Sequence, residues 1–253
     1  MDLGGKTIVV TVAARGLGAA IARGLSARGA RLALLDLDED DLAQTLDDCS
    51  NKSSEARAYA ANVADETQVE SAFAAINEHF GGIAALVNNA GILRDGLLIK
   101  AKDGQVSSRL SLDDWRAVID VNLTGVFLCG REAATHMIEG SAGGCIVNVS
   151  SVSRAGNFGQ SNYSAAKAGV AALTTVWAKE LARHEIRVNA IAPGFVKTEM
   201  VASMRREVLE RMAADIPVGR LCTPEEIAHA CLYLLENDYM NGRVLEIDGG
   251  LRL

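Results

Sequence analysis

The chain has 253 residues, of which 49% are hydrophobic, and its 24 glycines follow no three-residue period. This composition excludes collagen-like and disordered chains and supplies enough apolar side chains for a substantial core. The net charge of −7 is unfavourable for a protein that must neutralise many phosphates, so we do not expect nucleic acid as a partner.

Signals for secretion, membrane insertion and metal binding are absent from the sequence. The first residues contain no basic region followed by an apolar stretch, and every run of 18 residues contains a charge. The five cysteines are never spaced as Cys-x-x-Cys, which indicates neither a disulfide framework nor a zinc site. We therefore expect a cytoplasmic protein without a membrane span or a bound metal ion.

Short runs rich in β-branched residues alternate with longer segments of helical period, which is typical of βαβ units around a parallel sheet. Helix-start signals support the alternation, since Asp65 precedes Gln68 by three residues and Pro224 follows Thr223. No linker, repeat or charge block interrupts it, so we predict one α/β domain over residues 1–253 with a doubly wound, seven-stranded parallel sheet. The predicted strands are Thr7–Val12, Arg31–Asp36, Ala56–Ala60, Ala84–Asn88, Cys145–Val149, Arg187–Ile191 and Arg243–Ile247.

The segment Lys100–Leu110 breaks this alternation. Asp103-Gly104 is typical of a tight turn between two short extended runs, so we predict a small surface hairpin or loop inserted into the domain. The insertion lies between the fourth predicted strand and a helix whose start signal is Ser111, three residues before Asp114.

The first predicted strand leads into a glycine-bearing turn that opens a helix. The turn reads Thr11-Val12-Ala13-Ala14-Arg15-Gly16-Leu17-Gly18, and such a turn lets backbone N–H groups approach a pyrophosphate. Asp36 closes the second strand 18 positions after Gly18. Together these features predict a dinucleotide-binding site, and a tight strand–helix connection without a ligand is the alternative.

Asp36 and Arg15 point to different forms of the cofactor. A carboxylate at the end of the second strand accepts hydrogen bonds from a ribose diol and repels a 2′-phosphate, so Asp36 favours NAD(H). Arg15 can pair with a 2′-phosphate and leaves NADP(H) open, although a solvated loop cation is an equal alternative. We predict NAD(H).

Tyr163-Ser164-Ala165-Ala166-Lys167 opens a predicted helix, on which residues four apart lie on one face. The ammonium of Lys167 then stands near the phenol of Tyr163 and lowers its pKa from about 10 by favouring the phenolate. Tyr163 becomes a general acid for a carbonyl or a general base for an alcohol. A tyrosine and a lysine four residues apart are by themselves more often an ordinary surface pair. Whether they indicate catalysis therefore depends on the rest of the sequence.

The sequence resembles the short-chain dehydrogenase/reductase family in Thr11, Gly16 and Gly18, in Asn88-Asn89-Ala90-Gly91, in Tyr163 with Lys167, and in Pro193-Gly194. The resemblance covers essentially the whole chain and implies a Rossmann-type oxidoreductase that needs no metal. It implies that Tyr163 exchanges the proton, that Lys167 binds the nicotinamide ribose, and that a serine holds the substrate oxygen. Asn122 would orient a water in the proton relay. Carried over by position, the cofactor contacts are Thr11, Arg15, Gly16, Leu17, Gly18, Asp36, Asn62, Val63, Asn89, Ala90, Gly91, Tyr163, Lys167, Pro193, Gly194, Val196 and Thr198.

Two positions depart from the family pattern. Val12 stands where the family has its first loop glycine, and a β-branched residue there narrows the allowed dihedrals, so we predict weakened cofactor affinity. The family usually places its serine at the distance that separates Ser150 from Tyr163, whereas the match to the preceding strand points to Ser151. We predict Ser151 as the catalytic serine.

Within the family, the segments Gly156–Gly169 and Leu245–Gly250 look most like 3-oxoacyl-[acyl-carrier-protein] reductases. We therefore predict NAD(P)H-dependent reduction of a 3-oxoacyl thioester by a homotetramer. One alternative is an NAD-dependent dehydrogenase of another secondary alcohol. Another is a cofactor-impaired variant or partner subunit, because of Val12. Lys100, Lys102 and Arg109 of the insertion either contact a carrier protein or coenzyme A phosphates, or form a solvated surface.

Overall fold

The computed structural model describes residues 1–50, 55–198, 201 and 205–252. In chain order its strands are β1 (Thr7–Thr11), β2 (Arg31–Asp36), β3 (Ala56–Ala60), β4 (Ala85–Asn88), β5 (Ile99–Lys102), β6 (Gln105–Arg109), β7 (Gly144–Val149), β8 (Ile186–Pro193) and β9 (Val244–Ile247). Seven of them form a parallel sheet in the order β3-β2-β1-β4-β7-β8-β9. This order confirms the predicted doubly wound α/β fold and places the topological switch point between β1 and β4.

The bounds of five predicted strands shift by one or two residues. The first strand ends at Thr11 rather than Val12, because the backbone of Val12 has a φ of 50° and leaves the extended region. The sixth predicted strand extends to Pro193, because its last residues pair with β9. The remaining changes are starts at Ala85, Gly144, Ile186 and Val244 in place of Ala84, Cys145, Arg187 and Arg243.

The helices are α1 (Gly16–Ser26), α2 (Ala43–Ser50), α3 (Glu66–Phe80), α4 (Leu112–Ile119), α5 (Gly125–Glu139), α6 (Ser161–Glu180), α7 (Arg206–Ala214) and α8 (Pro224–Glu236). The Asp65 carboxylate accepts a hydrogen bond from the Gln68 N–H at 3.0 Å and caps α3. Thr223 and Glu226 form a capping box at the start of α8, with Pro224 in the first turn. The helix-start signals in the sequence therefore mark real helix ends.

The sheet lies between two helical layers. Ile8 and Val10 of β1 pack with Ile21 of α1 and Ile227 of α8 on one face. Val9 points to the other face and packs in a second cluster that includes residues of α3 and α5. Successive side chains of a strand alternate between faces, so a strand buried on both sides is apolar throughout.

A buried polar ladder joins the sheet to α6. The Asn88 side-chain amide donates to Asn148 Oδ1 at 2.9 Å, and the Asn148 amide donates to Thr174 Oγ1 at 3.0 Å. The Thr174 hydroxyl in turn donates to the Val170 carbonyl at 2.8 Å. All three polar side chains are buried, and each finds a partner. The ladder fixes the register of α6 against β4 and β7.

The insertion after β4 forms an antiparallel hairpin of β5 and β6, separate from the main sheet. Every residue of both strands is exposed. Across the described part of the chain, we find no helix with both the length and the apolar character needed to cross a membrane.

Candidate active site

The turn between β1 and α1 keeps a shape that glycine normally provides, although Val12 occupies it. Val12 has a φ of 50° and Gly16 a φ of 59°, both in the left-handed region. For a β-branched residue such a φ is strained. A Cβ on Gly18 would overlap the Val12 carbonyl oxygen and lie 2.8 Å from Asn89 Nδ2. Glycine is therefore required at position 18, where the helix passes close under the turn.

Thr11 ties the end of β1 to the end of β4. Its buried hydroxyl accepts hydrogen bonds from the N–H groups of Asn89 and Ala90, both at 3.0 Å. The Asn89 amide donates to the carbonyls of Thr11 and Val12 at 3.1 and 3.0 Å. These bonds hold two carboxyl ends of the sheet together at the switch point.

Asp36 contacts the same turn from β2. Its carboxylate accepts from the Ala14 N–H at 3.1 Å and from the Leu37 N–H at 2.9 Å. Arg15 is exposed at the start of α1, where its side chain makes no capping bond. The carboxylate is thus fixed beside the turn, whereas Arg15 is exposed and lines the cleft described below.

Asn62 and Val63 follow β3 at the edge of the sheet. The Asn62 carbonyl oxygen Oδ1 accepts from the Ala64 N–H at 3.0 Å, which is an Asx turn. Val63 is buried and packs against the first residue of α5, since a Cβ on Gly125 would lie 2.9 Å from it. In this structure Asn62 therefore stabilises the turn after β3, and Val63 packs that turn against α5.

Tyr163 and Lys167 lie one turn apart on α6, with the Lys167 Nζ 5.7 Å from the centre of the Tyr163 ring. The Lys167 ammonium is buried and donates to the Val149 carbonyl at 2.7 Å. Burial lowers the pKa of Lys167 from 10.5 to about 8. Burial raises the pKa of Tyr163, a hydrogen bond with Ser151 lowers it, and the charge of Asp95 raises it, leaving it above 10.0. The predicted lowering of this pKa by Lys167 is therefore wrong, because desolvation of the buried phenol outweighs the contacts that favour the phenolate.

The two adjacent serines at the end of β7 have different partners. The Ser150 hydroxyl is buried and donates to the Lys167 carbonyl at 2.8 Å, inside the packing of α6. Ser151 Oγ accepts from the Ser153 N–H at 3.1 Å and lies close enough to Tyr163 to affect its pKa. Arg154 donates to the Ser151 carbonyl at 3.3 Å and to Glu246 of β9.

Asn122 lies in a π-helical turn, Asp120–Thr124, between α4 and α5. Its buried side chain accepts from the Ile92 N–H at 2.8 Å and donates to the Ile92 carbonyl at 3.0 Å. A Cβ on Gly91 would lie 3.5 Å from the Lys167 Nζ and 3.7 Å from Asn122 Oδ1. Single π-turns inside helices occur often at functional sites, because they redirect backbone groups.

The loop after β8 folds back toward the turn after β1. Gly194 N–H donates to the Ile247 carbonyl at 2.9 Å, and a Cβ at Gly194 would lie 2.9 Å from the backbone of Asp248. Val196 forms a bridge with Cys222, and the Thr198 methyl carbon lies near Gly16. Pro193 ends β8 and is buried.

A cleft of about 540 Å³ at the carboxyl edge of the sheet collects many of these side chains. Of the predicted site residues, its walls contain Arg15, Gly16, Leu17, Asn89, Gly91, Tyr163, Lys167 and Thr198. Thr11, Gly18, Ala90, Asn122 and Ser151 lie beneath or beside it through the contacts given above, whereas Asp36, Asn62, Val63, Pro193, Gly194 and Val196 are not among its wall residues.

Some wall residues carry no signal in the sequence. Ile92, Leu93 and Val149 line the cleft, and as aliphatic side chains they do not differ in type from core residues. The described residues contain no group of three or more His, Cys, Asp or Glu side chains suited to a metal ion. The turn at Gly18, which only hydrogen can fill, and the N–H groups opening α1 fit the pyrophosphate of a dinucleotide.

Comparison with known proteins agrees with this arrangement. A family model described as enoyl-(acyl carrier protein) reductase matches residues 12–252. A 3-oxoacyl-[acyl-carrier-protein] reductase of Thermotoga maritima is 41% identical over 99% of this chain and 99% of its own length. A cis-4-hydroxycyclohexanecarboxylate dehydrogenase of Sinomonas cyclohexanicum is 42% identical over 97% of this chain and 96% of its own.

A solved structure has the same fold. A short-chain type dehydrogenase/reductase from Mycobacterium marinum superposes with a TM-score of 0.88 at 32% identity, covering 98% of this chain and 96% of that one. The similarity therefore extends over nearly the whole of both chains.

Proposed function

The chain belongs to the short-chain dehydrogenase/reductase family, and on that premise we propose that it reduces a 3-oxoacyl thioester to the 3-hydroxyacyl thioester. The observation that carries the proposal is the convergence of Ser151, Tyr163 and Lys167 at one cleft. Enzymes of this family use nicotinamide dinucleotides, which supply the hydride when bound. The relatives named as 3-oxoacyl reductases support the substrate class.

Tyr163 serves as the proton donor to the carbonyl oxygen. The phenol is protonated near neutral pH and so holds the proton that the reductive direction requires, and the burial that raises its pKa also makes it a weaker acid. Lys167, buried beside it, stabilises negative charge that develops on the phenol, and it would hold a ribose hydroxyl of the dinucleotide. The Asn122 turn supports a water that resupplies the proton, with Asn122 held by Ile92.

Ser151 holds the substrate oxygen and Ser150 is structural. The Ser150 hydroxyl is engaged with the carbonyl of Lys167 beneath the cleft, whereas Ser151 lies next to Tyr163. Ser151→Ala should therefore lower kcat by roughly 100-fold, and Ser150→Ala should chiefly lower stability. Loss of turnover in Ser150→Ala alone would reverse the assignment.

The remaining predicted site residues would hold the dinucleotide. Backbone groups of Arg15, Gly16 and Leu17 would hold the pyrophosphate, with Thr11 and Gly18 shaping the turn. Asp36, Asn62 and Val63, at the ends of β2 and β3, would hold the adenosine. The nicotinamide ribose and carboxamide would be held by Asn89, Ala90, Gly91, Pro193, Gly194, Val196 and Thr198.

NAD(H) is the preferred cofactor in this proposal. The Asp36 carboxylate is fixed by Ala14 and Leu37 at the end of β2, where it repels a 2′-phosphate. Arg15 is the group that would favour NADP(H), and it is exposed. Asp36→Ser should shift the ratio of kcat/KM from NADH toward NADPH, and an unchanged ratio would contradict the assignment.

Reduction of acetoacetyl-CoA, followed by nicotinamide absorbance with each cofactor, tests the function. We expect turnover with this thioester and a loss of it in Tyr163→Phe. A second candidate, dehydrogenation of a cyclic secondary alcohol, is favoured by the cis-4-hydroxycyclohexanecarboxylate dehydrogenase at 42% identity. Turnover of that alcohol without turnover of the thioester would select it. If neither substrate is turned over, the alternative of a cofactor-impaired partner subunit, which was based on Val12, would be favoured.

We further propose that residues 1–253 form one domain and that the enzyme is a homotetramer. Exposed apolar side chains are suited to contacts between subunits, among them Phe127 and Val176 on the long helices α5 and α6, Trp115 on the short helix α4, and Tyr233 and Tyr239 before the C-terminal strand.

A further inference from the structure

The hairpin of β5 and β6 is rooted at the active-site helix. The Gly96 N–H donates to the Gly159 carbonyl at 2.8 Å, just before α6 begins. The Gln160 amide donates to Asp95 at 2.9 Å, and the Asn162 amide donates to the Arg94 carbonyl at 2.9 Å. These bonds place the base of the hairpin directly beside the first turn of the helix that carries Tyr163.

The segment that leads into the hairpin also starts at the wall of the cleft. Leu93, the residue before Arg94, lines the cleft. β5 then runs from Ile99 to Lys102, a length of roughly 10 Å at about 3.3 Å per residue. Every residue of the hairpin is exposed, and the hairpin is joined to the cleft wall by the short segment that follows Leu93.

The two faces of the hairpin differ in chemistry. Lys100 pairs with Ser108 and Lys102 pairs with Gln105, and cross-strand partners share a face, so these four residues form one polar face. The other face carries Ile99, Ala101, Val106 and Arg109. One face is thus a basic, hydrogen-bonding surface, and the other is largely apolar.

The basic residues here lack acidic partners. Residues 94–109 contain four basic and two acidic side chains, in a chain whose net charge is −7. In the described ranges, no carboxylate lies within the 4.0 Å ion-pair distance of Arg94, Lys100, Lys102 or Arg109. Several arginines elsewhere are ion-paired, among them Arg131 with Glu66, whereas others such as Arg116 have no ion pair among the described residues. A local, unneutralised positive charge beside the cleft of an acidic protein is suited to an anionic substrate.

We propose that the polar face of the hairpin, centred on Lys100 and Lys102, binds the phosphate of a phosphopantetheine thioester whose acyl end enters the cleft. The inference rests on the proposed function. Pantetheine separates the thioester from its phosphate by a long flexible chain, so the phosphate lies outside the cleft when the carbonyl reaches Tyr163. Coenzyme A and an acylated carrier protein share this chemistry.

The test compares thioesters with and without a phosphate. The double variant Lys100→Gln/Lys102→Gln should raise KM for acetoacetyl-CoA by roughly fivefold, with kcat unchanged. The KM for acetoacetyl-N-acetylcysteamine, which has no phosphate, should stay at the parent value and so reports intact folding. A matched control, Lys6→Gln/Lys179→Gln, removes two exposed lysines far along the chain from the hairpin and should change neither KM.

Other outcomes separate this inference from the function beneath it. An unchanged KM for acetoacetyl-CoA, or an equal rise with both thioesters, would overturn the hairpin site while leaving the reductase activity standing. If the parent turns over neither thioester, the proposed function fails as well. A larger rise in KM with an acetoacetyl carrier protein than with acetoacetyl-CoA would support the site and identify the carrier as the source of the phosphate.

Discussion

At the scale of single residues, Val12 places a β-branched side chain on a backbone conformation that normally requires glycine. The backbone keeps the left-handed φ of 50° that glycine adopts without strain, because Asn89 holds the Val12 carbonyl and Gly18 packs beneath it. Strain of this kind costs of order 1–3 kcal/mol. The side chain is half-buried and lines the cleft.

Replacing Val12 by glycine should therefore tighten cofactor binding by about tenfold. The released strain offsets the extra backbone entropy of glycine, so we expect the free energy of unfolding to change by less than about 1 kcal/mol. Calorimetric titration of NADH and chemical denaturation measure the two effects. Val12→Ala keeps the strain and removes bulk, and equal dissociation constants in all three proteins would refute the idea.

Lys167 illustrates how a functional group lowers stability. Its pKa falls from 10.5 in the unfolded chain to about 8 in the fold, so between these values the unfolded chain binds more protons. The free energy of unfolding consequently rises with pH in this window. Below pH 8 the burial of the Lys167 charge lowers the free energy of unfolding by its full amount, roughly 3 kcal/mol.

We predict that Lys167→Met is inactive but more stable than the parent at pH 7 by roughly 2 kcal/mol, since the lost bond to the Val149 carbonyl returns part of the gain. The advantage should shrink as the pH rises from 8 toward 10.5. Urea unfolding at several pH values tests this, and a constant difference across the range would contradict it.

At the scale of elements, a contact between β9 and the turn after β7 orients Ser151. Arg154 bonds both the Ser151 carbonyl and Glu246, whose carboxylate also pairs with Arg252. Since Arg154 acts through the backbone of Ser151, we regard it as a positioning residue. Loss of the Arg154 side chain should make the position of Ser151 less well fixed while leaving its hydroxyl in place.

Arg154→Gln and Glu246→Gln should each lower kcat by about threefold to tenfold, with KM for the cofactor unchanged, because only the alignment of Ser151 is affected. Steady-state kinetics with acetoacetyl-CoA measure this split. Arg252→Gln, which leaves the Arg154–Glu246 pair in place, serves as the matched control. Equal losses in all three variants would point to a general effect on stability instead.

At the scale of the whole molecule, the sheet follows from the sequence because strands buried on both faces are apolar throughout and are separated by capped helices. The Tyr163–Lys167 pair could be predicted from its four-residue spacing, whereas Ser151 was predicted from the match to the preceding strand and against the usual spacing, which gives Ser150. Contacts that join distant loops could not be predicted from the sequence. Gln160 meets Asp95 across 65 positions and Arg154 meets Glu246 across 92, and neither pair has a periodic signal.

The mass of the particle in solution tests the proposed assembly. We expect light scattering to report four chains, because exposed apolar residues such as Trp115 and Phe127 gain from burial between subunits. Trp115→Glu should shift the mass toward smaller species, while Lys6→Glu, at an exposed polar site before β1, serves as a control. A monomer in the parent protein would refute the tetramer.

The buried ladder of Asn88, Asn148 and Thr174 has a consequence for laboratory evolution. It locks α6 to the middle of the sheet by side-chain bonds that involve no loop. Loops at the carboxyl edge, including the hairpin, can therefore be exchanged between relatives or randomised in libraries while Tyr163 and Lys167 keep their alignment. The same bonds mark the three positions that such libraries should leave untouched.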